Sequence, residues 1–201
     1  MHIVLHQPEI PSNTGNIGRT CVATGSALHL IEPLGFHLTE KALARAGMDY
    51  WHELELYRHM NYDAFLAWYQ EYCASRNDIA EPRPCAHAAG VFAPEAAPQV
   101  APQPARAPQI WYATTKAERL YTEANFGPDD FLMFGKESAG IPEEILVENR
   151  DHCIRIPMGA QIRSLNLANS VAIVLYEALR QQDFAGLESH GHLHRLQWKE
   201  E

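Results

Sequence analysis

Two apolar rhythms alternate along this chain, short continuous runs and longer stretches in which apolar residues recur every three to four positions. Together they predict strands and helices in turn. Residues 2–6 read as a strand, followed by a helix to about Thr24 that Ser12 or Asn13 caps and Gly25 stops. Residues 27–32 read as a second strand. Thr39 can cap a short helix over 40–46 that ends at Gly47, and 54–57 reads as a short strand. The spacing over Tyr62–Cys73 predicts a helix. Strands follow at 110–114, 131–134 and 153–156, with a short helix over 142–148 that has Pro142 in its first turn. The longest helix is predicted over 165–182, where Leu167, Val171, Val174, Leu175 and Leu179 can pack inward.

Strands that alternate with helices imply an α/β fold, a mostly parallel sheet with helices on both faces. The chain of 201 residues reads as a single domain over 1–201. One stretch breaks the pattern. From about 76 to 109, seven prolines (82, 84, 94, 98, 102, 104 and 108) stand among alanines with few large apolar groups. Such a segment buries too little surface to offset its ordering entropy and is expected to be a disordered insert. A flexible tail is expected from about 185. Its His190, His192 and His194 lack a cysteine or carboxylate at ligand spacing, so no metal is expected.

Composition narrows the class. With 46% hydrophobic residues the chain can bury a sizeable core. Its longest apolar run, 171–175, is far too short to span a bilayer, and its N-terminus lacks the basic flank of a signal peptide. Cys21, Cys73, Cys85 and Cys153 form no C-x-x-C pair and read as free thiols, which points to the cytoplasm. The net charge of −9 opposes generic nucleic-acid binding, since that affinity is largely phosphate neutralisation. Binding RNA would require charge segregation, with Arg19, Lys41, Arg45, Arg155 and Arg163 near the motifs and much of the acid elsewhere.

Three separated segments look like parts of one site. The first is Asn13-Thr14-Gly15-Asn16-Ile17-Gly18-Arg19-Thr20. The second is Phe134-Gly135-Lys136-Glu137-Ser138-Ala139-Gly140-Ile141-Pro142. The third is Ile154-Arg155-Ile156-Pro157-Met158, continued by Arg163-Ser164-Leu165-Asn166-Leu167-Ala168-Asn169-Ser170. Each follows a strand and leads into a helix, where α/β proteins place ligands. Taken singly, each is also an ordinary strand-to-helix turn. In this order the set resembles the SPOUT class of RNA methyltransferases, and within it the tRNA 2′-O-methyltransferases of the wobble nucleotide (the TrmL type of the SpoU/TrmH superfamily). The resemblance covers roughly 1–75 and 110–184.

That resemblance implies a C-terminal deep trefoil knot, a homodimer, and S-adenosyl-L-methionine as methyl donor without a metal. It also implies transfer to the ribose 2′-hydroxyl of nucleotide 34, cytidine or uridine, in a tRNA anticodon stem-loop. By residue-wise match, Ala113, Gly135, Ile156, Ser164 and Leu165 would hold the cofactor, Ala113 standing where a larger apolar residue is usual. Asn13, Arg19, Glu137, Ser164 and Asn166 match the polar catalytic positions, and Arg19 and Arg163 would contact RNA. A guanidinium stays protonated, so Arg19 is better read as a cation that grips phosphate and favours a developing alkoxide than as a base. Plainer roles stand beside these. Asn13, Ser164 and Asn166 can cap helices, Glu137 can pair with an arginine, and Arg19 can be a surface residue.

Other readings are a SPOUT enzyme for ribosomal RNA, a catalytically silent RNA-binding homologue, and a nucleotide-binding oxidoreductase. The last lacks a G-x-G-x-x-G, because Gly15 and Gly18 are spaced too closely, and Gly135-Lys136 is followed by Glu137 where a P-loop needs Ser or Thr.

Overall fold

The computed structural model describes residues 1–37, 49–77 and 106–196. Six parallel strands form one sheet: β1 His2–His6, β2 Ala27–Ile31, β3 Leu56–His59, β4 Ile110–Ala113, β5 Phe131–Phe134 and β6 Cys153–Ile154. Their order across the sheet is β3-β2-β1-β5-β4-β6. Among the described residues four α-helices accompany them: α1 Pro11–Thr24, α2 Tyr62–Asn77, α3 Glu143–Glu148 and α4 Leu167–Arg180. The short helix expected over 40–46, with Lys41 and Arg45, lies outside the described residues.

Strand side chains alternate between two cores. Ile3, Leu5, Leu28, Leu30, Leu132 and Phe134 face α1 and α4, meeting Ile17, Cys21, Val171, Val174 and Leu175. Val4, Ile31, Phe131, Met133 and Tyr112 face α2 and α3, meeting Phe65 and Leu146. The expected architecture of helices on both faces is therefore present. The second core also carries an unusual polar thread. His59, His29 and His2, on the adjacent strands β3, β2 and β1, join through ring nitrogens at 3.0 Å per step, and His2 Nε2 reaches the Tyr72 hydroxyl on α2 at 3.0 Å.

Several boundaries differ from the sequence reading. Helix α1 starts at Pro11 with Ile10 as its cap residue and no side-chain cap, so neither Ser12 nor Asn13 caps it. Gly25 does end α1, in the left-handed region at φ 62°. Helix α2 runs on to Asn77, and Arg76 pairs with Asp129. Beyond the insert, Arg106 bonds Asp130 and the Asn125 carbonyl, while the Pro108 carbonyl accepts from the Tyr69 hydroxyl. Both expected ends of the insert are thus built into the fold, and 78–105 lie outside the described residues. Strand β6 stops after Ile154 because Arg155 turns its backbone to Arg119 and Tyr121 instead of β4. Helix α4 begins at Leu167, and Asn166 is its cap, accepting from the N–H groups of Ala168 and Asn169. No helix or strand forms over 181–196.

Candidate active site

The sheet register brings the second and third motifs together. Ala113 pairs with Phe134 on one side and Ile154 on the other, so three adjacent strands end at one level. The loops that leave them enclose a cleft of about 490 Å³. Every predicted site residue except Arg19 lines it: Asn13, Ala113, Gly135, Glu137, Ile156, Arg163, Ser164, Leu165 and Asn166.

A chain of side-chain hydrogen bonds joins the three motifs. Asn13 Nδ2 donates to Glu137 Oε1 at 3.0 Å. Asn166 Nδ2 donates to Asn13 Oδ1 at 2.9 Å. Asn166 Oδ1 in turn accepts from the backbone of Ala168 and Asn169. Each amide uses its donor on one side and its acceptor on the other, so the orientation of both is set by the network. The cap role of Asn166 and its place in the site coexist. Asn13 sits inside α1, buried, as the junction between the loops.

Glu137 binds no arginine among the described residues. Its carboxylate accepts from the N–H groups of Glu9, at 2.8 Å, and Ile10, at 3.2 Å, as well as from Asn13. The N–H of Ile10 thereby finds its acceptor 127 residues away in sequence. Glu9 answers in the opposite direction, accepting from the backbone and hydroxyl of Ser138. Those two bonds, the hydroxyl's first, hold the Glu9 carboxyl below the usual carboxylate range.

Gly135 is required by its own loop. A Cβ there would stand 2.1 Å from the Ile141 nitrogen and 2.2 Å from the Gly140 carbonyl carbon, far inside contact distance. Gly140 is needed for a different reason, its φ of 75°. The cleft wall is apolar at Ile156, Met158, Leu165 and Leu167, with positive charge from Lys136, Arg163 and Lys116. Lys116 is paired with Glu143, whose carboxyl is held below its usual range by that contact. Sequence reading gave no role to Thr114, Thr115, Lys116, Lys136 or Met158, although Lys136 and Met158 stand inside the motif segments and Thr114, Thr115 and Lys116 follow directly on β4. Arg19 lies on the exposed side of α1, off the cleft of its own chain.

Comparison with known proteins places the chain in a family. The model of the SpoU rRNA methylase family matches residues 1–81 and 98–176. A Saccharophagus degradans protein named tRNA (cytidine(34)-2′-O)-methyltransferase is 40% identical over 186 residues, 92% of this chain and 97% of its own. A solved structure described as structural insights into the 2-OH methylation of C/U34 on tRNA is 37% identical. It has a TM-score of 0.67 and covers 90% of this chain and 95% of its own. The SpoU methyltransferase AviRb of Streptomyces viridochromogenes, solved in complex with AdoMet, has a TM-score of 0.67 over 91% of this chain and 58% of its own. At 20% identity it speaks for the fold alone. The family match takes in all three segments that meet at the cleft, and the chain belongs to the SpoU rRNA methylase family.

Proposed function

We propose that this protein transfers a methyl group from S-adenosyl-L-methionine to the ribose 2′-hydroxyl of nucleotide 34, cytidine or uridine, in the anticodon stem-loop of a tRNA. The observation that carries this reading is the convergence of the three motif segments on one cleft through Glu137, Asn13 and Asn166. The names of relatives that align over nearly their whole length support the substrate.

The cleft fits the donor in size, since small-ligand sites run from about 300 to 1,000 Å³. It also fits in chemistry. The strand-end backbone over 113–115 and 135–140 would hold the nucleoside part of the donor, Ile156, Met158, Leu165 and Leu167 supply apolar wall, and Lys136 and Arg163 suit a carboxylate or a phosphate. S-adenosylmethionine would supply a methyl on a sulfonium for in-line displacement by the ribose oxygen, a step that needs no metal. What remains for the chain is to orient and to stabilise developing charge. The asparagine junction holds the loops in one arrangement. Arg19 would lower the cost of the developing alkoxide while itself staying protonated.

Arg19 is off the cleft of its own chain, and the reading therefore includes a homodimer in which it reaches the cleft of the second protomer. The exposed face of α4, with Asn169, Ile173, Tyr176 and Arg180 beside α1, suits such a contact. The family's trefoil knot over the C-terminal segments belongs to the same reading, as does a cytoplasmic location. No described helix is long and apolar enough to cross a membrane.

The decisive experiment is mass spectrometry of tRNA and ribosomal RNA nucleosides from cells lacking the gene. Loss of 2′-O-methylation at position 34 is expected. Loss confined to ribosomal RNA would move the substrate, and no loss at all would support a silent homologue. In single-turnover assays Arg19→Ala should cost two to three orders of magnitude, about the effect of removing a transition-state donor. Arg19→Lys keeps the charge without the planar fork and should retain a fraction of the rate. Both should bind S-adenosylmethionine as the parent does. Wild-type turnover in Arg19→Ala would make it a surface residue.

A further inference from the structure

The loop between β1 and α1 is held from two sides. On one side the Gly35 N–H donates to the Pro8 carbonyl at 2.9 Å, and a Cβ on Gly35 would fall 2.7 Å from Glu9 Cα. On the other side stands the 136–140 turn, which closes on itself through Gly140 N to the Lys136 carbonyl at 2.8 Å. Two glutamates cross between loop and turn in opposite directions. Glu137 takes the backbone N–H groups of Glu9 and Ile10. Glu9 takes the Ser138 N–H at 2.9 Å and the Ser138 hydroxyl at 2.8 Å. Each carboxylate therefore ties down the backbone that carries the other.

We propose that Glu9 is a positioning residue for the methyl transfer, setting the 136–140 turn that forms one wall of the cofactor cleft. Glu9 does not line the cleft, whereas Lys136, Glu137, Ser138 and Gly140 all do. It acts through them. The ionised form is the one that can accept both Ser138 donors at once, because a protonated or amide side chain gives up one acceptor for a donor. The charged groups facing Glu9 are Lys136, whose ammonium reaches toward Gln7 Oε1 at 3.4 Å, and Glu137. The same clamp fixes Ile10 at the head of α1, from which Asn13 extends to Asn166. One half-buried carboxylate thus orders both the donor wall and the asparagine junction on the acceptor side.

This inference rests on the function proposed above, so its test includes a measurement that does not need the donor. Glu9→Ala and Glu9→Gln are compared with the parent in four measurements: amide hydrogen exchange over 136–140 in the ligand-free protein, melting temperature, S-adenosylmethionine affinity by calorimetry, and methylation of tRNA. Hydrogen bonds to a charged group are strong enough that Glu9→Ala should weaken donor affinity about tenfold. Exchange at Ser138 should quicken, and the melting temperature should barely move, because Glu9 is at the surface. Glu9→Gln, which keeps one acceptor, should fall between the two, with the donor KM raised more than kcat is lowered. Parental donor affinity in a folded Glu9→Ala, or in Glu9→Gln if the alanine variant fails to fold, overturns the proposal. If the parent itself binds no S-adenosylmethionine, the function is wrong and the clamp stands or falls on exchange alone. Unchanged protection at Ser138 in Glu9→Gln would then refute it.

Discussion

Two threads of hydrogen-bonded side chains cross this molecule, and they answer differently to their surroundings. One runs through the loops, from Glu137 to Asn13 to Asn166, at the mouth of the cleft. The other runs through the core beneath α2, from His59 to His29 to His2 to Tyr72. Asparagine amides carry donor and acceptor on fixed atoms and have no proton to exchange near neutrality, so the loop thread has one arrangement. A neutral imidazole can donate from either nitrogen. The core thread is therefore satisfied with every ring donating toward Tyr72 or with every ring donating away from it. A third proton state fits neither order, since a charged ring has two donors and needs two acceptors. The two asparagine amides keep one arrangement because they carry no titratable proton, and the core thread holds only while it stays neutral.

Acid should separate the two most strongly. Burial first, then the N-terminal amine, His29 and Arg76, push the His2 pKa down to about 2. Burial, then His59, pushes His29 down to about 3. His59 and His6 are lowered as well, in both cases mainly by burial. The rings packed against the thread are those of Tyr57, Phe65, Trp68 and Phe131, while Glu55, Cys73 and Asp129 act on its Tyr72 end. Arg76 itself is paired with Asp129. Below its usual value of 6.5 an unfolded imidazole takes up a proton that the folded rings refuse, so stability is full above pH 6.5 and falls with pH below it. His2 and His29 together should remove about 3 kcal/mol between pH 6.5 and 5. Urea unfolding across that range measures the slope, and His29→Phe should flatten it. A curve flat to pH 5 would mean the rings accept protons in the folded state.

The loop thread should fail in activity before it fails in stability. Asn13→Ala leaves the Asn166 amide without its acceptor and removes one donor from Glu137. Displacing the loops by a fraction of an ångström should cost on the order of a hundredfold in single-turnover methylation. The pH dependence of unfolding should stay parental, because no imidazole is touched. If Asn13→Ala instead steepens acid unfolding, the two threads are one network.

The difference also explains what the sequence made legible. Short apolar runs and period-3.6 patterns located the strands and helices to within a few residues, because each is set by side chains near one another in the chain. The cleft residues were legible as motifs at strand ends. The start of α1 was not, because the Ile10 N–H that a local cap would take is satisfied by Glu137 from across the fold. Glu9 was missed for the same reason. The histidine thread joins positions 2, 29, 59 and 72, which no local window connects. Its one visible sign was a histidine in each of three apolar strand runs, on the face that α2 covers.

The smallest effect is expected from the chain between α2 and β4, and it bears on the comparison because the core thread ends beside it. Tyr72 and Arg76 lie in the last turns of α2, and Arg76 is anchored to Asp129. On the far side Arg106 is anchored to Asp130, a buried carboxylate that also accepts from Trp111 Nε1 at 2.8 Å and from the N–H groups of Gln109 and Gly127. These anchors make both ends of the insert independent of what lies between them. Replacing residues 80–104 by a short Gly/Ser linker while keeping Arg106 should change stability by no more than about 1 kcal/mol, since closure entropy grows slowly with loop length. Methylation should be unchanged, and so should the acid slope. A shifted acid slope with normal methylation would show that the insert shields the Tyr72 end of the histidine thread. Lost methylation with a normal slope would place it against the RNA or a second protomer. Either result would assign the prolines a role that their composition gave no reason to expect.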